Sequence, residues 1–416
     1  MELKTGYKQT EVGVIPSDWD IAKLVDVCER ISVGLATSVT KYYRNIGIPI
    51  IRNLNIKDGY FDNSDILYLD AEFAKQNLSK VAKADDVLTV RTGSNLGLTC
   101  LLPLDFHNCQ TFTTLITTPK KAKLNSGFLC YNMSSEMGKS ELARLQVGGG
   151  KGNLNTGNLK NYRLAIPPSI AEQTAIATAL SDTDQYITHL EKLITKKRNI
   201  KQGAMQELLK PKEGWVVKRL PEVVWFQEGP GVRNNQFKIS GVKLLNGTNI
   251  EDGKLLLEKT DRYISEKEAY GWYSHFLVNE GDILIACSGV TIDKFDEKVT
   301  VASKEHLPLC MNTSTMRFKI VSNQITKNFF FHFLKSKSFK YQIGGKATGS
   351  AQLNFGPSHI KMVEIEMPLP SEQTRIATIL SDMDAEITTL ETKLSKAQSI
   401  KQGMMQQLLT GKIRLI

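Results

Sequence analysis

Two glycine-rich stretches, Val147-Gly-Gly-Gly-Lys-Gly-Asn-Leu-Asn155 and Gly344-Gly-Lys-Ala-Thr-Gly-Ser-Ala-Gln-Leu-Asn354, carry a recognisable chemistry. Each combines bare backbone N–H groups, one lysine (Lys151 or Lys346) and small polar side chains, among them Asn153, Ser350 and Asn354. That mixture suits close approach to a phosphate backbone, and it equally suits a plain surface loop. A second set lies upstream of each stretch: Arg52, Asn53 and Asn55 in the first half, Asn246, Thr248 and Asn249 in the second. A third, Arg91, Thr92, Ser94 and Asn95, follows the apolar run Asp86-Val-Leu-Thr-Val90, and Lys294 adds a cation to the second half. Arginine pairs bidentately with guanine and asparagine with adenine in the major groove. The same residue types also close turns and coat solvated loops.

Signatures of catalysis are missing. Gly150-Lys151 is followed by Gly152 and Gly345-Lys346 by Ala347, so neither stretch is a nucleotide P-loop. No Gly-x-Gly-x-x-Gly follows a clear strand, and no Asn/Asp-Pro-Pro-Tyr/Phe box of the amino-methyltransferase type is present. Histidines 107, 189, 275, 306, 332 and 359 show no metal-ligand spacing. Cysteines 28, 100, 109, 130, 287 and 310 form no Cys-x-x-Cys pair, which points to buried free thiols in a reducing cytoplasm. The chain therefore reads as a binding module without a metal or cofactor of its own. A net charge of +10 favours polyanionic partners, and the charge is spread over the chain, its longest basic run being Lys196-Lys-Arg198. No apolar run approaches the roughly 20 residues of a membrane span, and Met1-Glu-Leu-Lys-Thr5 does not open a signal peptide.

What must position these residues is a duplicated framework. Between residues 172 and 209, 23 of 38 positions are identical 200 residues further on. Glu172-Gln-Thr-Ala-Ile-Ala returns as Glu372-Gln-Thr-Arg-Ile-Ala, and Ile200-Lys-Gln-Gly-Ala-Met-Gln as Ile400-Lys-Gln-Gly-Met-Met-Gln. Weaker echoes run through the rest in the same order: Trp19 with Trp215, Asn55-Ile-Lys-Asp-Gly59 with Asn249-Ile-Glu-Asp-Gly253, and Asp86-Val-Leu with Asp282-Ile-Leu. The whole chain is body, helix, body, helix, with similar helices and divergent bodies. Each body reads as α+β, mostly short strands around Asp-Gly turns; Phe128–Tyr131 and Asn328–Leu334 are compatible with helix or strand. The predicted divisions are 1–165, 166–210, 211–366 and 367–416.

In the second helix Leu380, Met383, Ile387, Leu390 and Leu394 follow the 3-4 spacing of a coiled-coil seam. The first keeps Leu180, Ile187, Leu190 and Ile194, with Thr183 and Lys197 interrupting. Neither buries its seam alone, so the spacing predicts an antiparallel pair in a pseudo-twofold molecule; the alternative is that each helix packs on its own body. Ser169 and Glu172 have capping-box spacing, whereas Pro370 marks the second start.

These features together resemble the specificity subunit of type I restriction-modification systems: Ile15-Pro-Ser-Asp-Trp19 and Glu213-Gly-Trp215, the glycine-rich stretches leading to Ile166-Pro-Pro168 and Met367-Pro-Leu-Pro370, and the repeated Glu-Gln-x-x-Ile-Ala and Ile-Lys-Gln-Gly-x-Met-Gln-x-Leu-Leu motifs. The resemblance spans essentially the whole chain. It implies two target-recognition domains, each reading one half of a split double-stranded DNA site, at a distance fixed by the two helical spacers. It further implies two methylation subunits that bind S-adenosylmethionine and methylate adenine, restriction subunits that use ATP and Mg, and helices that help dock the methylation subunits. A single-chain methyltransferase or nuclease, and a coiled-coil scaffold unrelated to DNA, are the competing readings.

Overall fold

The computed structural model describes residues 5–146, 152–291, 294–344 and 352–415. Lys151, Lys346 and Ser350 lie outside them. The chain divides into two compact units: residues 1–191 with 392–416, and residues 192–391. Both divisions fall inside long helices, Ile170–Leu208 and Pro370–Leu408. Each unit thus holds the beginning of one long helix and the end of the other.

In the first unit a four-stranded antiparallel sheet runs in the order Cys28–Val33, Thr114–Pro119, Val87–Val90, Thr99–Leu101. All four residues of Val87–Val90 are buried, and the one polar side chain, Thr89, meets the Thr99 hydroxyl at 3.2 Å. A second sheet pairs Ile48–Ile51 in parallel with Gln110–Thr111 and antiparallel with Leu67–Leu69. The second unit repeats the plan. Val224–Glu228, Thr315–Ile320, Ile283–Ala286 and Val299–Val301 form its four-stranded sheet, and Val242–Leu245 pairs in parallel with Leu309–Met311. Asp252-Gly253, both at positive φ, turns Ile250–Glu251 back onto Lys254–Leu255. The two segments compatible with helix or strand are helices, Ser126–Ser134 and Lys327–Leu334.

The leading tryptophans seat these helices. Trp19 is fully buried and meets Phe128 edge-on at 6.5 Å; Trp215 meets Phe329 at 6.3 Å. Around Trp19 the core takes in Ile176, Ala177 and Leu180 from the first long helix, then Leu408 and Leu409 from the end of the second. The second unit's core takes in Ile376, Ala377 and Leu380, then Met205, with Leu208 and Leu209 packed against it. The packing therefore corrects the simple seam in one respect. Leu180 and Leu380 lie in the cores of the bodies, while Leu190, Ile194, Ile387 and Leu390 are buried further along, and Ile187, Met383 and Leu394 are half-buried. Each helix packs on a body and against its partner helix.

Ion pairs record the antiparallel register. In the first unit Asp184 pairs with Lys401 (2.5 Å) and Glu172 with Arg414; in the second Lys197 pairs with Glu386 (2.6 Å), Arg198 with Glu391 (2.7 Å) and Lys201 with Asp384. The expected capping box is not formed. Ser169 Oγ accepts from the Ala171 N–H (3.2 Å), but the Glu172 carboxylate is taken by Arg414, which also holds Asp18. Those bonds raise the Arg414 pKa and lower that of Asp18.

The repeated glutamine has one job in both units. Gln173 Oε1 accepts from the Asn125 N–H (2.8 Å), and its Nε2 donates to the Lys123 and Pro167 carbonyls (3.1 Å each). Gln373 Oε1 accepts from the Thr326 N–H (2.7 Å), and its Nε2 donates to the Gln324 and Pro368 carbonyls (2.7 and 2.8 Å). Both side chains are buried, so each helix start is tied to a body by hydrogen bonds from one buried amide to three backbone groups. Gln373→Leu strands those groups. It should lower unfolding free energy by about 2–4 kcal/mol in urea, while Leu at exposed Gln402 should change it by less than about 0.5 kcal/mol.

His332 gives a second check. It is buried, with Nε2 3.1 Å from Ser381 Oγ, and burial lowers its pKa to about 4 against the opposing pull of Asp384; Lys201 and Lys335 add to the lowering. Unfolded, an ordinary histidine takes up a proton below about pH 6.5, but folded His332 does so only near pH 4. Its contribution is whole above pH 6.5 and falls as pH drops toward 4, by about 3 kcal/mol in all. Urea unfolding measured from pH 7 to pH 4 should show this decline, and His332→Phe should flatten it.

Candidate nucleic-acid interface

In each unit the strands end together. The parallel pair Ile48–Ile51 and Gln110–Thr111 delivers Arg52 and Phe112 to one edge, where the Phe112 N–H donates to the Ile51 carbonyl (2.8 Å). Thr114, after a tight turn at Thr113 (φ 51°), pairs with Val90, so Arg91 arrives there too. Cys28–Val33 ends at Gly34-Leu35, and the Leu35 N–H donates to the Thr111 carbonyl (2.7 Å). Gly34 lies so close to Thr111 that a Cβ has no room. The segment leaving the glycine-rich stretch closes the group: the Leu154 N–H donates to the Arg91 carbonyl (2.9 Å), and Asn153 bridges to Thr92.

The second unit builds the same edge from other residues. The Asn312 N–H donates to the Leu245 carbonyl (3.0 Å), the Cys287 N–H to Ser314 (2.9 Å) and the Phe355 N–H to Cys287 (2.9 Å). Gly229 presses on the backbone of Asn312 as Gly34 does on Thr111. Asn354 Oδ1 accepts from Ser288 Oγ and the Gly289 N–H (2.9 Å each). Asn246 Oδ1 accepts from Asn312 Nδ2 (3.0 Å).

The candidate residues separate into readers and braces. Ser94 and Asn95 are exposed on the turn from Val87–Val90 to Thr99–Leu101. Thr248 and Lys294 are exposed; Asn53, Arg91, Asn153, Asn246 and Asn354 are half-buried at the edge. Asn55 and Asn249 are fully buried, which corrects their expected place among the contacts. Asn55 Oδ1 accepts from the Arg52 N–H (2.9 Å) and its Nδ2 donates to the Asp62 and Asp65 carbonyls (3.1 Å each). Asn249 repeats this with the Asn246 N–H (2.9 Å) and the Leu256 carbonyl (3.3 Å). Asparagine is chosen there because it answers a donor and an acceptor at once. The guanidinium of Arg52 is also engaged, by Asp65 Oδ2 (2.8 Å) and its carbonyl (2.9 Å).

Residues not foreseen complete the edges. Gly34-Leu35, Phe112-Thr113, Ser288 and Asn312–Ser314 belong to them, and the alignable Cys109-Gln-Thr-Phe-Thr-Thr114 and Cys310-Met-Asn-Thr-Ser-Thr315 carried the signal. Glu228 ends its strand half-buried, with its pKa raised by burial. Behind each edge a buried aspartate anchors the strand: Asp86 binds Arg30 (2.7 Å) and Asp282 binds Arg317 (3.2 Å).

Among the described residues no three His, Cys, Asp or Glu side chains gather as a metal site, and no helix is long and apolar enough to cross a membrane. All six cysteines are buried and free, and burial pushes the Cys28, Cys109, Cys130, Cys287 and Cys310 thiols up to about 12.

The pattern described as the type I restriction modification DNA specificity domain matches residues 16–202 and again 212–399. The chain belongs to that specificity family. A type I restriction enzyme MjaVIII specificity subunit from Methanocaldococcus jannaschii is 25% identical over 96% of this chain and 94% of its own. The EcoKI specificity subunit of Escherichia coli K12 is 20% identical over 97% and 90%. The S subunit structure from M. genitalium, 14% identical, has the same fold at a TM-score of 0.61, covering 98% of both chains. A structure from work on assembly and conformational transition of the type I R-M system, also 14% identical, covers 96% of this chain and 99% of its own at 0.60. The family thus places two copies of one domain in the chain, and the two edges are the matching parts of those copies. Removing a brace should act on stability: Asn249→Leu should cost about 2–3 kcal/mol in urea unfolding, whereas Thr248→Ala, one residue away, should cost less than about 0.5 kcal/mol.

Proposed function

We propose that this specificity subunit recognises a bipartite, asymmetric double-stranded DNA site, each unit reading one half through its strand-end edge. The observation that carries the reading is the construction of those edges. The backbone frame is the same in both, but the projecting groups differ: Arg91, Ser94 and Asn95 in one, Ser288, Asn354 and Thr248 in the other. A common frame with unlike hydrogen-bonding groups is what two different half-sites require. The net charge of +10 supports attraction to the phosphates.

In this reading the chain supplies recognition and partner chains supply chemistry. Two methylation subunits carry S-adenosylmethionine and methylate adenines flipped from the duplex. Restriction subunits add ATP and Mg dependence, and the assembly works on DNA in the cytoplasm. The repeated Ile-Lys-Gln-Gly-x-Met-Gln segments, present once in each unit, offer like surfaces to two like methylation subunits.

The test is to co-express the chain with its methylation subunits and map methylated adenines across the host genome. One split motif with unlike halves is the expected result. Ala at Ser94 and Asn95 should relax one half, and Ala at Ser288 and Asn354 the other. Methylation without a split motif, or one in which both pairs of changes affect the same half, would overturn the proposal.

A further inference from the structure

We infer that Arg91 reads a guanine in the half-site bound by the first unit, and that the second unit reads no guanine at the matching position. This rests on the DNA-recognition reading above. Among the described residues, the side chains of Arg91 and Arg233 differ from the other arginines in having no ion pair, hydrogen bond or aromatic ring as partner. Arg233 precedes a short surface turn, Asn234–Gln236. Arg91 extends directly from Val87–Val90, the most deeply buried strand of its sheet, and is itself half-buried. Its Nε is shielded from solvent and has no partner. Its backbone is pinned from the far side by Leu154, and the adjoining Thr92 by Asn153.

A half-buried guanidinium with nothing to neutralise it is costly unless a ligand answers it. Its neighbour Arg52 is already held by Asp65, so Arg91 is the available fork at this edge. A phosphate would satisfy the charge. What favours a base edge is placement: Arg91 starts from a strand end fixed by backbone hydrogen bonds, with its Nε out of solvent. Fixed origin and planar fork suit the O6 and N7 acceptors of guanine. The second unit removes this chemistry. By the pairing of Leu154 with Arg91 and of Phe355 with Cys287, the matching residue is Cys287, which is buried and has no charge to offer.

The test uses the full chain assembled with its methylation subunits, acting on a plasmid library that carries every base at each position of both half-sites. The wild-type complex should prefer guanine at one position of one half. In Arg91→Ala that preference should fall by about 5- to 150-fold, with the other half unchanged. Arg91→Gln should move it toward adenine, the base that glutamine pairs. Equal weakening on all sequences, with a salt slope lower by about one ion, would make Arg91 a phosphate contact and overturn the inference. Unchanged preference in Arg91→Ala would overturn it as well. Should Arg91→Ala lose its fold by circular dichroism, Arg91→Gln, close in volume, decides alone. A wild-type complex without any split motif would instead count against the recognition reading itself.

Discussion

Each core is closed by a helix end from the other half of the sequence, and the rest of the architecture depends on that closure. Trp19 shows why. Its ring is wholly buried, yet the residues near it in sequence do not cover it alone. Leu408 and Leu409 join its core, Gly411 lies against the ring at positive φ, and the Arg414 guanidinium stacks 5.8 Å from it while holding Asp18 and Glu172. In the second unit Met205 joins the core, while Leu208, Leu209 and Trp215 pack against it. An apolar surface of this size is stable only when covered, so each body is made complete by the end of the long helix that begins in the other unit.

That requirement explains what the repeat retains. Ile-Lys-Gln-Gly-x-Met-Gln-x-Leu-Leu supplies the covering residues, and Glu-Gln-x-x-Ile-Ala supplies the tie. Gln173 and Gln373 each answer three backbone groups at a helix start, which no apolar residue of that size could do. Lys401 with Asp184 and Lys201 with Asp384 join the Ile-Lys-Gln-Gly motif of each copy to the long helix of the other copy. These pairs are partly exposed and add little stability. Their effect is on register, because a helix slipped by one turn would leave the lysines facing the wrong neighbours.

The sequence made this framework legible because the helices repeat at a constant offset and their apolar residues follow helical spacing. It was less informative about the edges. Asn55 and Asn249 look like base readers, because the amide that pairs with adenine also bridges a backbone donor and acceptor. Only burial separates those uses, and burial depends on how the turns at Asp58-Gly59 and Asp252-Gly253 fold over the asparagine. Glu172 departs from its expected role for a similar reason. Its spacing from Ser169 suits a capping box, but Arg414, distant in sequence, competes for the carboxylate and carries a full charge. The edge itself was hidden because parallel pairing joins strands some 60 residues apart, which leaves no local periodicity.

The division between braces and readers also accounts for the divergence of the bodies. Asn55, Asn249, Gly34, Gly229 and the Asp86–Arg30 and Asp282–Arg317 pairs fix the backbone at each edge from behind. None of them needs the projecting residue to be of a particular type. Arg91 and Cys287 occupy matching positions and accept the same backbone hydrogen bond, although one is a cation and the other a small buried thiol. A frame held by buried backbone bonds tolerates that change, since the side chain is not part of its support. At the two asparagines, where the side chain is part of the support, the residue is the same in both units. The change between Arg91 and Cys287 thus alters what is read without loosening what holds it.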